Sequence, residues 1–286
     1  MSVSDPAINS MYRIVQNMHG DQPWGSVLDA GTGRGSMSWL LSLDTARWTA
    51  ITGAQSMADQ VTRQIGGRMR AQDRLVTGNW MDPTLLAGEH YDTVLADYLV
   101  GAIEGFAPYW QDRVFARLRP LVGRRLYVIG LEPYVPYFPA DLAGSLVCEI
   151  GCLRDACLLL GGERPYREYP MDWVLRQLRL AGFKPLDTQR YGIRYGERFV
   201  NSQLDMCDER LRRLKDRGLA LAMTEHVAQL RERALAVIAA EGGCGTGTIT
   251  SLRRSLYELN FFADGSLLLM ADRLWRSFCG HHSFLS

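Results

Sequence analysis

Apolar positions divide the chain into short strands and amphipathic helices in alternation. Ile8, Met11, Tyr12, Val15 and Met18 share one helical stripe, which predicts a helix over 7–18. Asp21, Pro23 and Gly25 end it. Ser26-Val27-Leu28-Asp29-Ala30 reads as a strand running into the turn Gly31-Thr32-Gly33-Arg34-Gly35. Met37, Trp39, Leu40 and Leu41 mark the helix after that turn. A second strand is predicted over 47–54, and a helix over 57–69 that closes near Gly66 and Gly67. Strands follow over 74–77 and 91–96, the latter apolar enough to be covered on both faces. Trp110, Val114, Phe115, Leu118 and Leu121 form the next helical stripe, closed by Pro120 and Gly123. A fifth strand is expected over 125–131.

Strands and helices at this spacing predict an α/β fold with a doubly wound, mostly parallel sheet. Its crossovers should be right-handed, with helices on both faces. The second half changes texture. A continuous apolar helix is predicted over 142–160, another over 171–180 with Gly182 as its stop, and a sixth strand over 183–188. Leu204, Cys207, Leu211 and Leu214 mark an amphipathic helix, and a longer one runs over 219–240. Asp264-Gly265, between 256–262 and 267–270, is a hairpin signal. Three segments are expected: an N-terminal helix or lid (1–22), a ligand-binding α/β domain (23–200) with a helical insert near 140–162, and a helical extension (201–286) ending in a strand or hairpin.

Composition narrows the function. With 286 residues and 47% of them hydrophobic, the chain can build its core without disulfide or metal staples. Its 32 basic and 31 acidic residues leave a formal charge of +1, which argues against nucleic acid as a partner and against disorder. No apolar run approaches the roughly 18–20 residues of a membrane span, and residues 1–19 lack the pattern of a secretory signal. The six cysteines are irregularly spaced and read as reduced thiols, which points to the cytoplasm. No metal site is expected: Cys148 and Cys152 have no histidine near in sequence, and Cys279, His281 and His282 sit in the terminus. An enzyme of small molecules is the leading class, and a homodimer is compatible with it.

The chemistry concentrates in Asp29-Ala30-Gly31-Thr32-Gly33-Arg34-Gly35, an acid followed by three alternating glycines between a strand and a helix. Glycine tolerates positive φ and lets a ligand lie against bare backbone. The nicotinamide fingerprint G-x-G-x-x-G would put its third glycine at Ser36, and an acid two residues before the first glycine suits an ammonium group better than a pyrophosphate. The segment resembles the first motif of class I S-adenosylmethionine-dependent methyltransferases. The resemblance covers the element order from Val27 to about Leu131 and weakens towards Thr188. It implies a seven-stranded sheet, S-adenosylmethionine as cofactor with S-adenosylhomocysteine as product, and methyl transfer to a small-molecule acceptor.

The same resemblance distributes roles. Asp29, Gly31, Thr32, Gly33 and Gly35 would hold the methionine part of the cofactor. Gln55 stands where the family usually has an acid for the ribose, which costs a charge-assisted bond. Asn79 and Trp80 follow the third strand and would meet the adenine, unless Trp80 is core. Asp97 and Tyr98 end the fourth strand, and Glu132 follows the fifth, near where ligands gather on an open sheet. Asp97, Glu132 and Tyr98 are the catalytic candidates, with a carboxylate as general base. Tyr134, Tyr137, Arg194 and Tyr195 are the acceptor-binding candidates, although the tyrosines also suit a purely loop-shaping role. A catalytically silent cofactor-binding protein of the same fold is the alternative, with Gln55 and Asn79 as signs of drift.

Overall fold

In the computed structural model the described residues are 10–136, 139–193, 195–241 and 254–262. The strands are β1 (Ser26–Asp29), β2 (Arg47–Thr52), β3 (Arg74–Thr77), β4 (Tyr91–Asp97), β5 (Val122–Leu131), β6 (Lys184–Ile193) and β7 (Arg254–Phe262). The helices are α1 (Ser10–His19), α2 (Arg34–Leu40), α3 (Gln55–Ile65), α4 (Leu99–Ala102), α5 (Val114–Leu118), α6 (Leu142–Leu160), α7 (Met171–Leu180), α8 (Glu197–Leu211) and α9 (Arg217–Glu241). The strands lie in one sheet in the order β3-β2-β1-β4-β5-β7-β6. The first five are parallel, while β7 runs antiparallel to both of its neighbours.

Side chains alternate across a strand, so each strand feeds two cores. Leu28, Val94, Ala96, Leu126 and Val128 share one core with Val114, Leu118, Val174 and Leu178 of α5 and α7. On the opposite face Leu95, Tyr127 and Ile129 meet Tyr12 and Val15 of α1 and Trp39 of α2. Val27 and Ala50 meet Met37, Leu40 and Val61 there. The strand-helix alternation and the two-sided burial of β4 are thus present as the apolar pattern implies.

A third layer consists of α6, α8 and α9, whose buried residues include Ile150, Cys157, Leu204, Cys207, Leu230 and Ala234. Asp141 caps α6 by accepting a hydrogen bond from the Gly144 amide at 2.7 Å. The segment after β5 holds this layer to the sheet. Tyr134 and Val135 lie over Gly151 in mid-α6, and Arg154 of α6 donates to the Tyr134 hydroxyl at 2.7 Å.

Two boundaries differ from the sequence expectation. α8 begins at Glu197, inside the span given to the α/β domain. The last strand, expected in a separate extension, pairs along β5 on one side and β6 on the other. The physical reason is the edge of β5, whose amides and carbonyls would otherwise lack a ladder. The Asp264-Gly265 turn and its second strand lie outside the described residues.

In an ordinary helix interior Gly→Ala stabilises by about 0.5–1 kcal/mol. At Gly151 the added Cβ would stand 2.7 Å from both Tyr134 Cε2 and Val135 Cγ2. Gly151→Ala is therefore expected to destabilise, by about 1–3 kcal/mol as overpacking does. Urea unfolding of the variant measures the sign, and a gain in stability would contradict this packing.

Candidate cofactor and active site

The order of the strands reverses between β1 and β4, which is where an open parallel sheet leaves a crevice. Beyond β1 the chain leans first on one neighbour and then on the other. The Ala30 amide donates to the Leu95 carbonyl of β4 at 2.8 Å, and the Thr32 amide to the Ile51 carbonyl of β2 at 2.6 Å. The glycine turn therefore spans the crevice. Beneath it, Asp29 is 1% exposed and accepts a long bond, 3.4 Å, from the Gly31 amide. Its Oδ2 is buried and has no partner among the described residues. Asp97 Oδ2 accepts a 2.7 Å bond from the Tyr12 hydroxyl, while its buried Oδ1 also lacks a partner.

Burial pushes the Asp29 carboxyl up to about 6, against hydrogen bonds from Ser36, Thr32 and Gly31 that favour the ionised form. Burial also pushes Asp97 up to about 7; the Tyr12 hydrogen bond opposes that rise and the negative charge of Asp29 adds to it. Burial, followed by the charge of Asp97, holds the Tyr12 hydroxyl far above its ordinary range. Tyr12, which sequence reasoning did not single out, joins the candidate site through its hydroxyl. The helical stripe accounted for its ring, which stacks on Trp39 at 5.3 Å, but carried no signal for its hydroxyl. Tyr98, beside Asp97, adopts a left-handed φ of 50° and donates its hydroxyl to Met11 Sδ at 3.6 Å.

The turn uses its glycines for space and not for positive φ, since Gly31, Gly33 and Gly35 all avoid that region. A Cβ on Gly31 would lie 3.3 Å from Leu99 Cδ1, and one on Gly35 3.2 Å from the Tyr12 hydroxyl. A Cβ on Gly33 would meet nothing within 4 Å. Gly33 is thus the member of the motif with open space before it.

Around β2 and β3 the arrangement departs from the expected roles. Gln55 begins α3 and is exposed; its amide nitrogen donates to Asp59 at 2.9 Å and its oxygen accepts from Thr77 at 3.4 Å. A cavity of about 300 Å³ beside it is lined by Ala58, Thr62, Met69, Leu75 and Thr77, away from Asp29 and Asp97. Asn79 donates to the Phe106 carbonyl at 2.8 Å and accepts from the Met81 amide. Trp80 is 4% exposed in the sheet core and donates to the Ala30 carbonyl at 2.8 Å, so it supports the glycine turn from below and offers no face to an adenine.

The acceptor candidates are also distributed differently from the expected single cluster. Glu132 accepts from the Met171 amide at the start of α7 and from Arg190 of β6, both at 3.3 Å. Those bonds make it a tether between elements, in place of the free base proposed for it. Tyr134 points its hydroxyl to Arg154 of α6. Tyr195 packs on Phe199 with the rings tilted by 32°, 4.0 Å between ring centres, in a small cluster with Tyr134, Ala143 and Val147. Tyr137 and Arg194 lie outside the described residues. Among the described residues no group of three or more His, Cys, Asp or Glu is arranged to hold a metal ion. No described helix is long and apolar enough to cross a membrane.

Two solved structures resemble this architecture at low sequence identity. A candidate methyltransferase from Bacillus halodurans C-125 gives a TM-score of 0.56 at 11% identity, covering 90% of this chain and 99% of its own. The YcgJ protein of Bacillus subtilis gives 0.50 at 12% identity, covering 86% and 94%. The fold is class I methyltransferase-like. No protein-family model matches the chain, and no curated protein matches it by sequence.

The raised acids make stability depend on pH. An acid held at about 7 in the folded state and near 3.8 when unfolded binds its proton more tightly in the native protein. Stability therefore falls as pH rises from about 4 through 7. Asp97→Asn removes that ionisation. Its melting temperature relative to the parent should be higher at pH 8 than at pH 5, and an equal offset at both would refute the assignment.

Proposed function

We propose that this chain is an S-adenosylmethionine-dependent methyltransferase acting on a small-molecule acceptor. The reading is carried by the two buried carboxylate oxygens without partners, Asp29 Oδ2 and Asp97 Oδ1, beside a glycine turn. Buried polar groups are ordinarily satisfied, so acceptors left open in a crevice call for a donor from outside the chain. An ammonium group offers three donors and a charge opposite to theirs. The open space before Gly33 suits a ligand laid against the backbone. The residues at the methionine end therefore fit the cofactor, and those at the nucleoside end fit it less well.

When bound, the cofactor supplies a methyl group on a sulfonium centre. The chain's own residues do the rest. Asp29 and Asp97 hold the ammonium group, and the Tyr12 hydroxyl fixes the orientation of the Asp97 carboxylate. Asp97 is also the candidate base for an acceptor proton, since Glu132 is engaged by Met171 and Arg190. In-line displacement needs an acceptor held close and shielded from water. We assign the shielding to α1 and to the cluster of Tyr134, Tyr195 and Phe199 against α6. Near-balanced charge supports a small metabolite over nucleic acid as acceptor, and irregularly spaced cysteines support a cytoplasmic setting.

A binding protein without transfer activity is the second reading, favoured by Gln55, whose amide is spent on Asp59 and Thr77. A screen for methyl transfer to candidate acceptors separates the two.

Calorimetry with S-adenosylhomocysteine tests the cofactor. Gly33→Val should fold with an unchanged melting temperature, because nothing crowds its Cβ. It should bind at least about tenfold more weakly, a change of about 1.4 kcal/mol. Because both acids must ionise to hold an ammonium group, affinity for the parent should rise from pH 5 to pH 8, through the values of about 6 and 7. No binding to the parent, or equal binding to Gly33→Val, would end this reading.

A further inference from the structure

Phe106 lies in the loop that follows α4. An ideal Cβ on Gly53 would come 2.7 Å from its Cδ1 and 2.9 Å from its Cε1, so the ring rests directly on the bare backbone just past β2. The Phe106 carbonyl also accepts the Asn79 amide at 2.8 Å. Gly53 and Asn79 follow β2 and β3, next to Gln55. On the reading above, these strand ends are where the ribose and base would lie, since the glycine turn leans from β4 towards β2. The ring is nonetheless 41% exposed, an unusual position for a phenylalanine with a contact so specific.

The loop is anchored firmly behind the ring. Glu104 is 2% exposed and accepts from the Tyr109 amide at 3.1 Å, from Gln111 at 2.7 Å and from Arg164 at 3.2 Å. Those bonds hold its carboxyl below the usual range despite burial. Tyr109 sits in a left-handed conformation with φ 62°, and Tyr166 lies 3.6 Å from an ideal Cβ on Gly105. The backbone on either side of Phe106 is thus held by the buried Glu104 carboxylate, while the Phe106 ring itself is partly exposed.

We propose that Phe106 is an internal competitor for the nucleoside half of the cofactor site: its ring covers Gly53 in the free protein and must swing away before a nucleoside lies across the end of β2. This rests on the cofactor reading above. Gly53 is glycine because the ring needs the space, and the fixed loop returns the ring to it after each departure. Apparent affinity then equals the intrinsic affinity multiplied by the fraction of molecules with the ring displaced. A ring displaced about a tenth of the time lowers apparent affinity about tenfold.

The experiment is calorimetry and stopped-flow binding of S-adenosylhomocysteine, adenosine and methionine to the parent, Phe106→Ala and Phe106→Leu. Both variants keep the Glu104 anchor, and matched melting temperatures establish that they fold. Phe106→Ala should bind S-adenosylhomocysteine and adenosine about tenfold more tightly, with the gain in the association rate. Phe106→Leu should fall between it and the parent, and methionine affinity should not change. A fluorine label on the Phe106 ring of the parent should show adenosine moving the signal and methionine leaving it in place. Weaker adenosine binding by Phe106→Ala would make the ring a wall of the occupied site, and unchanged binding would put it outside the path; either overturns the proposal. Absence of S-adenosylhomocysteine binding to parent and variants alike, all folded, would instead remove the cofactor reading on which it stands.

Discussion

Asp29 and Asp97 stand at the ends of adjacent parallel strands, where removal from water opposes the ionisation of both. Much of the surrounding arrangement answers that constraint. The Tyr12 hydroxyl gives Asp97 one strong donor, and the Gly31 amide gives Asp29 one weak one. The remaining two oxygens are left open on the ligand side of the sheet. A protein selected only for stability would place apolar side chains at such positions, since an unpaired buried carboxylate is costly. On the proposed reading, the two open oxygens are the places where a cationic ligand would donate.

The layers divide that task. α1 crosses one face of the sheet and brings Tyr12 to the crevice, where Trp39 supports its ring. The opposite face supplies Trp80, whose indole nitrogen holds the Ala30 carbonyl at the start of the turn. α6, α8 and α9 are tied down by contacts that do not reach the acids. Arg233 of α9 grips Glu149 of α6, and Arg231 of α9 bonds Asn201 and Asp208 of α8. This layer is bound to itself more fully than to the sheet, where Tyr134 and Gly151 make the close contact.

The sequence made the parallel core legible because β4 and β5 are apolar runs and the helices between strands carry clear stripes. α6 and α7 were equally plain, with their limits at Leu160 and Leu180 set by the glycines that follow. The strand-turn-helix context of the glycine motif was legible, but its glycines supply space and not positive φ. For Trp80, Glu132 and Tyr134 the sequence left the role open, because aromatic or acidic residues near strand ends look alike whether they face a ligand or a neighbouring helix. Only packing decides that. The Tyr12 hydroxyl and the Phe106 ring left no trace in the pattern, as the stripe marks only that Tyr12 is buried and Phe106 sits in an irregular loop. The place of β7 was hidden for another reason: its partners are far away in sequence, and a strand's own residues do not name the edge it joins.

The position of β7 also orders the events by which the sheet forms. β1 to β5 are all made by Leu131, and their parallel ladders need nothing that comes later. β6 has no partner until the chain has passed through α8 and α9 and reached Arg254. Domains fold from their N-terminal parts during synthesis. Throughout the making of those two helices, the outer edge of β5 and both edges of β6 therefore present unpaired amides and carbonyls, the template on which strands of other chains assemble. One strand, arriving last, closes two of these edges at once, that of β5 and the inner edge of β6. The hazard of aggregation thus belongs to the nascent chain, and the helices that lengthen the wait also set how long it lasts.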